Sequence, residues 1–340
     1  MSELAVAFDQ ALEELLPFSE ALDRAGDNGS VPSGVREELL AMGWNGLVAP
    51  EEAGGLGLET TEMIEMCAVA GRRLLPVALL DEALLLAPAL GAAGRSAAEA
   101  VVGGRASGGA GYVADASATW GSDGTLSVSG VGVRLSPQAQ LVGLVHPQWT
   151  AVIPLGDPGV RLEQADALDR GQGVHLLTVT DVEPDVVLEG WMNGGGVAAG
   201  WLAGLLADLV GGADQVLSMS VSHARERQQF GRPLVRFQAV THLLAEMKAR
   251  LELMRSAVAR LAFLMTEDAL DPGFLAAALW SVPAYARQVC ESAIQVHGGI
   301  GFTWEYGLHL YYRRVLSVQS MLGGSLDTAA QAGRAYLKED

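Results

Sequence analysis

The sequence predicts a mainly α protein with a central β domain, and three observations carry that expectation. Apolar residues recur at helical spacing over residues 1–105, alternate at every second position over 106–190, and return to helical spacing over 191–340. The 340 residues are 50% hydrophobic, enough to bury a large core shared by two or three subdomains. Aromatics make up only 6% while small and aliphatic residues dominate, which suits a compact, helix-rich chain.

The first zone, residues 1–105, reads as a helical domain. "VREELLAMGWNGL" carries apolar residues at helical spacing, and the breaker-rich "APEEAGGLGLETTE" closes one helix and opens another, with Thr60 or Thr61 as the expected cap. "EMIEMCAVAGRRLLPVALLDEALLLAPAL" continues the helical pattern with expected breaks at Pro76 and Pro88. In the second zone, 106–190, "GTLSVSGVGVRLS", "AQLVGLV", "WTAVIPL", "GVRLEQA" and "HLLTVTDVEPDVVL" lie between Gly, Pro and Asp turn signals. They predict a small antiparallel sheet or barrel of short strands. The third zone, 191–340, has few breakers before "ALDPGF" and the glycines at 298–301, which predicts three or four long helices in an antiparallel bundle. Its first run, "VAAGWLAGLLADLVGGA", is long enough for a short membrane span, yet Asp208 and its glycines favour a buried bundle helix.

A net charge of −18 argues against a nucleic-acid partner, since phosphate binding needs a basic face. Cys67 and Cys290 lack metal-ligand spacing and read as buried structural thiols. The first residues, "MSELAVAFDQALEELLPF", have no basic n-region and do not read as a signal peptide, so a cytoplasmic location is expected. The six histidines form no metal-like group, and no P-loop or G-x-S-x-G elbow is present.

Two stretches stand out chemically. "RERQQFGRPL", residues 225–234, packs three arginines around a Phe-Gly-x-Pro turn. Arg225 and Arg227 either cap a helix C-terminus or, in the functional reading, place a guanidinium fork against a phosphate. "QVHGGIG" offers adjacent glycines whose backbone approaches a ligand closely, or simply breaks a helix; His297 within it reads as a hydrogen-bonded structural residue rather than a base.

Taken in order, these stretches resemble the acyl-CoA dehydrogenase family over nearly the whole chain. "MGWNGLVAPEEAGGLGL" is similar to a stretch of that family's N-terminal helical domain. "RERQQFGRPLVRFQAVTHLLAEM" resembles its R-x-x-F-G-x-x-L-x-x-x-Q junction, and "QVHGGIGFTWEYGLHLYYRR" its Q-x-x-G-G-x-G-(F/Y)-x-x-E-(F/Y) segment. The resemblance implies the three-domain fold of the family: helical N-terminal domain, small β-barrel or sheet, and C-terminal four-helix bundle. It also implies FAD as cofactor, lying across a subunit interface. The positions that match flavin-contacting residues are Arg227, Gln229, Phe230 and Gln238, with Gln295, Gly298 and Gly299 matching the segment that cradles the adenosine diphosphate end.

Departures from the family pattern are as informative. The family's reaction needs a carboxylate base in a dry site to take a proton beside a thioester carbonyl. The usual Glu falls within a Tyr-Glu-Gly-Thr motif, where this chain has "SMLGGS": Met321 for Tyr, Leu322 for Glu and Gly324 for Thr. The alternative position in some relatives falls at about Trp201. Neither side chain takes a proton, and Asp208 and Asp327 stand too far along the chain to be convincing substitutes. The flavin-ring motifs of the middle domain are reduced to "YVADASATWGSDG" and "SGVGVRLSPQAQ", with Tyr112, Ser117 and Ser122 as remnants.

The resemblance therefore points to the short, base-lacking subunit of heteromeric actinobacterial acyl-CoA dehydrogenases. A longer homologue in a heterotetramer would supply the base, the flavin-ring contacts and the acyl-CoA pocket, with a bulky, steroid-type acyl group as substrate and an electron-transfer flavoprotein as acceptor. The alternatives are a base-independent flavin monooxygenase or oxidase of the same superfamily, and a non-catalytic acyl-CoA- or partner-binding scaffold.

Overall fold

A computed structural model describes residues 2–26, 33–94, 96–113, 117–169 and 172–337. The N-terminal part holds helices α1 (Glu3–Leu15), α2 (Phe18–Gly26), α3 (Ser33–Ala41), α4 (Thr60–Arg72), α5 (Val77–Asp81), α6 (Ala87–Ala92) and α7 (Ala97–Val102). Helix α4 starts one residue earlier than its threonines suggest. Glu59, not Thr60 or Thr61, is the N-cap, because Glu59 and Glu62 satisfy each other's orphan backbone N–H groups in a capping box. Pro76 caps α5, but Pro88 breaks nothing. A π-turn over Glu82–Leu86 joins α5 to α6 in one continuous rod, and its wider ladder accommodates a proline that lacks an N–H.

The middle segment folds into one sheet of eight strands: β1 (Gly108–Tyr112), β2 (Ala118–Trp120), β3 (Leu126–Leu135), β4 (Leu141–Val145), β5 (Trp149–Pro154), β6 (Val160–Gln164), β7 (Val174–Val182) and β8 (Val186–Glu189). The spatial order is β6-β7-β3-β1-β4-β5-β8, with β2 pairing to β3. The sheet is mixed rather than purely antiparallel, because β1 and β4 pair in parallel. Strand β3 runs antiparallel to β1, and the turn after it reverses the chain again before it reaches β1's other edge.

The C-terminal segment contains α8 (Gly196–Glu226), a two-residue hairpin of β9 (Gln228–Gln229) and β10 (Arg232–Pro233), then α9 (Gln238–Thr266), α10 (Pro272–His297), α11 (Leu308–Met321) and α12 (Gly324–Leu337). Helix α8 is long and apolar enough to cross a membrane, but 78% of its apolar window is buried within the fold. Its closest neighbour is α4. The two backbones meet at glycines: a Cβ on Gly211 would lie 1.7 Å from the Ala68 carbonyl oxygen, and one on Gly71 1.9 Å from that of Asp208. One core therefore runs from α1 and α4 through α8 into α9, α10 and α11, and the sheet is packed onto its side through the π-turn.

Candidate functional site

The end of α8 and the end of α10 form one exposed, cationic corner. Arg227 is the C-cap of α8; its N–H donates to the His223 carbonyl (2.9 Å) and its carbonyl accepts from Leu234 N–H (2.9 Å). Phe230, at the tip of the hairpin, takes a left-handed φ of 50° and is 92% exposed. Gln229 and Gln238 are exposed beside it, and Arg232 lies over the Phe237 ring at 4.1 Å. Gln295, Gly298 and Gly299 are exposed at the end of α10, and Gly298 has a φ of 64°.

Three rings tie these two ends together. His223 and His297 lie with centroids 4.4 Å apart and planes tilted by 30°, and Tyr306 sits 4.8 Å from His297. His297 is buried; its Nδ1 lies 2.7 Å from the Ala293 carbonyl and its Nε2 3.0 Å from Tyr306 Oη. Burial holds both imidazoles below the usual histidine range, helped at His223 by the Arg227 charge and at His297 by His223.

A second feature is a cleft of about 500 Å³ between the sheet and the end of α11. Tyr112, Ser117, Arg134, Met321 and Gly323 line it, whereas Ser122 stands exposed in the β2–β3 turn. The two flavin-ring remnants and the SMLGGS stretch thus meet in one place. Neither position of the usual base faces it: Leu322 is 1% exposed and belongs to the helical core, and Trp201 is fully buried. Asp327 lies in α12, but its side chain is outside the described residues.

What lies behind Arg134, beneath the cleft wall, was not legible from motif spacing. Trp201 Nε1 donates to Asp81 (2.7 Å), Arg134 bonds the same carboxylate through Nη2 (3.0 Å) and Nε (3.4 Å), and Arg134 Nη1 contacts Met321 Sδ. Burial pushes the Asp81 carboxyl up, while Arg134, Trp201 and the Ala110 N–H pull it back. Asp208, weighed as a distant substitute base, instead pairs with Arg314 (3.1 Å), which also holds Asp169 (2.9 Å). The adjacent carboxylates of Asp81 and Glu82 inside an apolar run were the one available signal; their partners lie too far along the chain to be read.

These two regions fit a flavin dinucleotide unequally. The corner offers a cationic fork and, at Gly298 and Gly299, backbone with nothing within 4 Å of a would-be Cβ, which suits a diphosphate. The cleft offers a guanidinium already paired, a thioether and the exposed carboxylate of Asp166, while Leu322 and Trp201 bring no ionisable group to it. Among the described residues no cluster of metal-ligating side chains occurs.

Comparison with known proteins bears on the chain as a whole. At 32% identity over 294 residues the chain is similar to the acyl-CoA dehydrogenase FadE34 of Mycobacterium tuberculosis; the match covers 84% of this chain and 40% of FadE34. FadE27 of the same organism is 26% identical over 327 residues, covering 87% of this chain and 86% of FadE27. The fold superposes on the ChsE4-ChsE5 complex of M. tuberculosis with a TM-score of 0.83 at 21% identity, covering 100% of this chain and 98% of that one. It superposes on a Tcur3481-Tcur3483 steroid ACAD variant at 0.82 and 23% identity, covering 99% and 97%. Residues 5–100 match the acyl-CoA dehydrogenase N-terminal domain and residues 203–332 its C-terminal domain, so that the helices on both sides of the sheet place the chain in the acyl-CoA dehydrogenase family.

Proposed function

We propose that this chain is the accessory subunit of a heteromeric, FAD-dependent acyl-CoA dehydrogenase. The observation that carries the proposal is the contrast between its two halves. Both positions of the family's base hold buried groups that take no proton, Leu322 and Trp201, while Arg227, Gly298 and Gly299 stand together on an open surface. FAD supplies the hydride acceptor of the family's reaction. This chain's part is to hold its diphosphate end through Arg227 and the Gly298 turn, with Gln229, Phe230, Gln238 and Gln295 around it.

A longer homologue supplies the catalytic Glu and the acyl-CoA pocket in a heterotetramer, and an electron-transfer flavoprotein takes the electrons in the cytoplasm. A bulky, steroid-type acyl group is the proposed substrate class. The resemblance to a solved steroid ACAD pair and to the ChsE4-ChsE5 complex supports that reading. FadE34 supports it in another way: this chain spans only 40% of it, leaving room in one polypeptide for a second unit of similar size.

The test is the flavin absorbance and mass of the protein purified alone, beside the same protein co-expressed with a longer homologue. Flavin that appears only in the mixed assembly, at one FAD per pair of chains, is the expected result. A yellow homotetramer of this chain alone would overturn the accessory role and favour a base-independent reaction of flavin with oxygen.

A further inference from the structure

The rings of His223, His297 and Tyr306 lie at the base of the cationic corner, His297 buried and the other two half-buried, and nothing in the proposed function uses them. Their position is specific. His223 is one helical turn before Arg227, and its backbone carbonyl accepts the Arg227 N–H, so the two residues share the last turn of α8. His297 immediately precedes Gly298, whose φ of 64° ends α10 and opens the Gly298–Phe302 turn. The His223–His297 ring contact links the last turn of α8 to the last turn of α10, and Tyr306 packs against both rings.

We propose that His223 and His297 are positioning residues that register Arg227 and the Gly298 turn into a single surface, and that they do so only while both rings are neutral. The charged groups near them explain why. Glu226 and Arg227 approach from α8 and Tyr306 from the turn, while the Ala293 and Met219 carbonyls face His297. One carboxylate does not offset two imidazolium ions 4.4 Å apart beside an arginine. Burial favours the neutral form in the folded chain, so the registration is complete above the unfolded histidine value of about 6.5 and is lost as pH falls through the lower folded value. The ligand class, a nucleoside diphosphate, rests on the proposed function; the registration itself does not.

Amide hydrogen exchange on the full chain, corrected for the intrinsic pH dependence of exchange, tests the registration directly. Protection of residues 299–303 is expected to fall by up to roughly tenfold per pH unit once the first ring takes a proton. The double variant His223→Phe/His297→Gln carries no titrating ring at this contact, so its protection is expected to stay flat into acid, whereas His297→Ala loses protection at every pH. A native-like pH response in the double variant, or none in the native chain, overturns the proposal. A titration with ADP on the same proteins separates the two readings. Affinity that falls in acid only where the native pair is present supports positioning, and affinity that rises in acid means direct imidazolium contact and overturns it. Absence of ADP binding at any pH, with the exchange behaviour intact, leaves the registration standing and counts against the cofactor reading alone.

Discussion

Leu322 shows how little a single substitution can restore. It lies between Met321 and Gly323, which line the cleft, yet its own side chain points into the helical core. Leu322→Glu therefore places a carboxyl among aliphatic neighbours rather than in the cleft. The expected outcome is a loss of roughly 3 kcal/mol of stability in urea denaturation and no dehydrogenase activity, alone or in an assembly. Asp81 and Arg134 give the complementary case. Asp81→Ala strands a guanidinium whose side chain is 4% exposed and is expected to cost about 3–5 kcal/mol; replacing both with apolar residues of similar volume costs much less. Urea titrations of the single and double variants check this, and equal losses would show that the pair itself contributes the stability. At this scale the sequence was legible where a residue type sets local backbone, as at Gly298, whose φ is 64° at the end of α10. It was silent where the chemistry depends on a partner 53 positions away, as Arg134 is from Asp81.

Among the elements, α4 and α8 pack by backbone rather than by side chain. The pattern "VAAGWLAGLLADLVGGA" disclosed a buried helix through its glycines and Asp208, but not which helix those glycines meet. The structure answers that, and the answer predicts a graded series. Gly211→Ala drives a Cβ into the Ala68 carbonyl oxygen, a rigid neighbour, and is expected to cost about 3 kcal/mol or more. Gly204→Ala meets side chains alone, the Leu84 Cδ1, which can turn away, and the Cys67 Sγ at 3.3 Å, and should cost less. Gly200→Ala has a single contact at 3.7 Å, so the entropy saved in the helix makes it neutral or stabilising by roughly 0.5–1 kcal/mol. Thermal unfolding of the three variants checks the order, and a tolerant Gly211→Ala would show that α4 and α8 can separate. Strand period was likewise legible for β3 to β8, whereas the parallel pairing of β1 with β4 was not. Alternation reports which residues face a core, not which strand lies alongside.

At the scale of the whole molecule, charge is the term that sets the corner apart. A chain of net charge −18 repels a diphosphate at long range, and an exposed arginine must offset that repulsion locally. Screening over a Debye length of about 8 Å at physiological ionic strength confines both effects, so the fork of Arg227 acts mainly at contact distance. Three consequences follow for the assembled protein. Arg227→Ala is expected to weaken FAD retention by roughly 10–100-fold, the range of a hydrogen bond to a charged group, with no change in unfolding because the side chain is exposed. Arg227→Lys keeps the charge without the planar fork and should fall between the two. Raising salt should weaken the native complex more than the Ala variant, since only the native contact has a charge to screen. Flavin absorbance after gel filtration at low and high salt reads all three. Flavin content unaffected by Arg227→Ala would remove this residue from the cofactor, and with it the reason for an exposed cation at the end of α8.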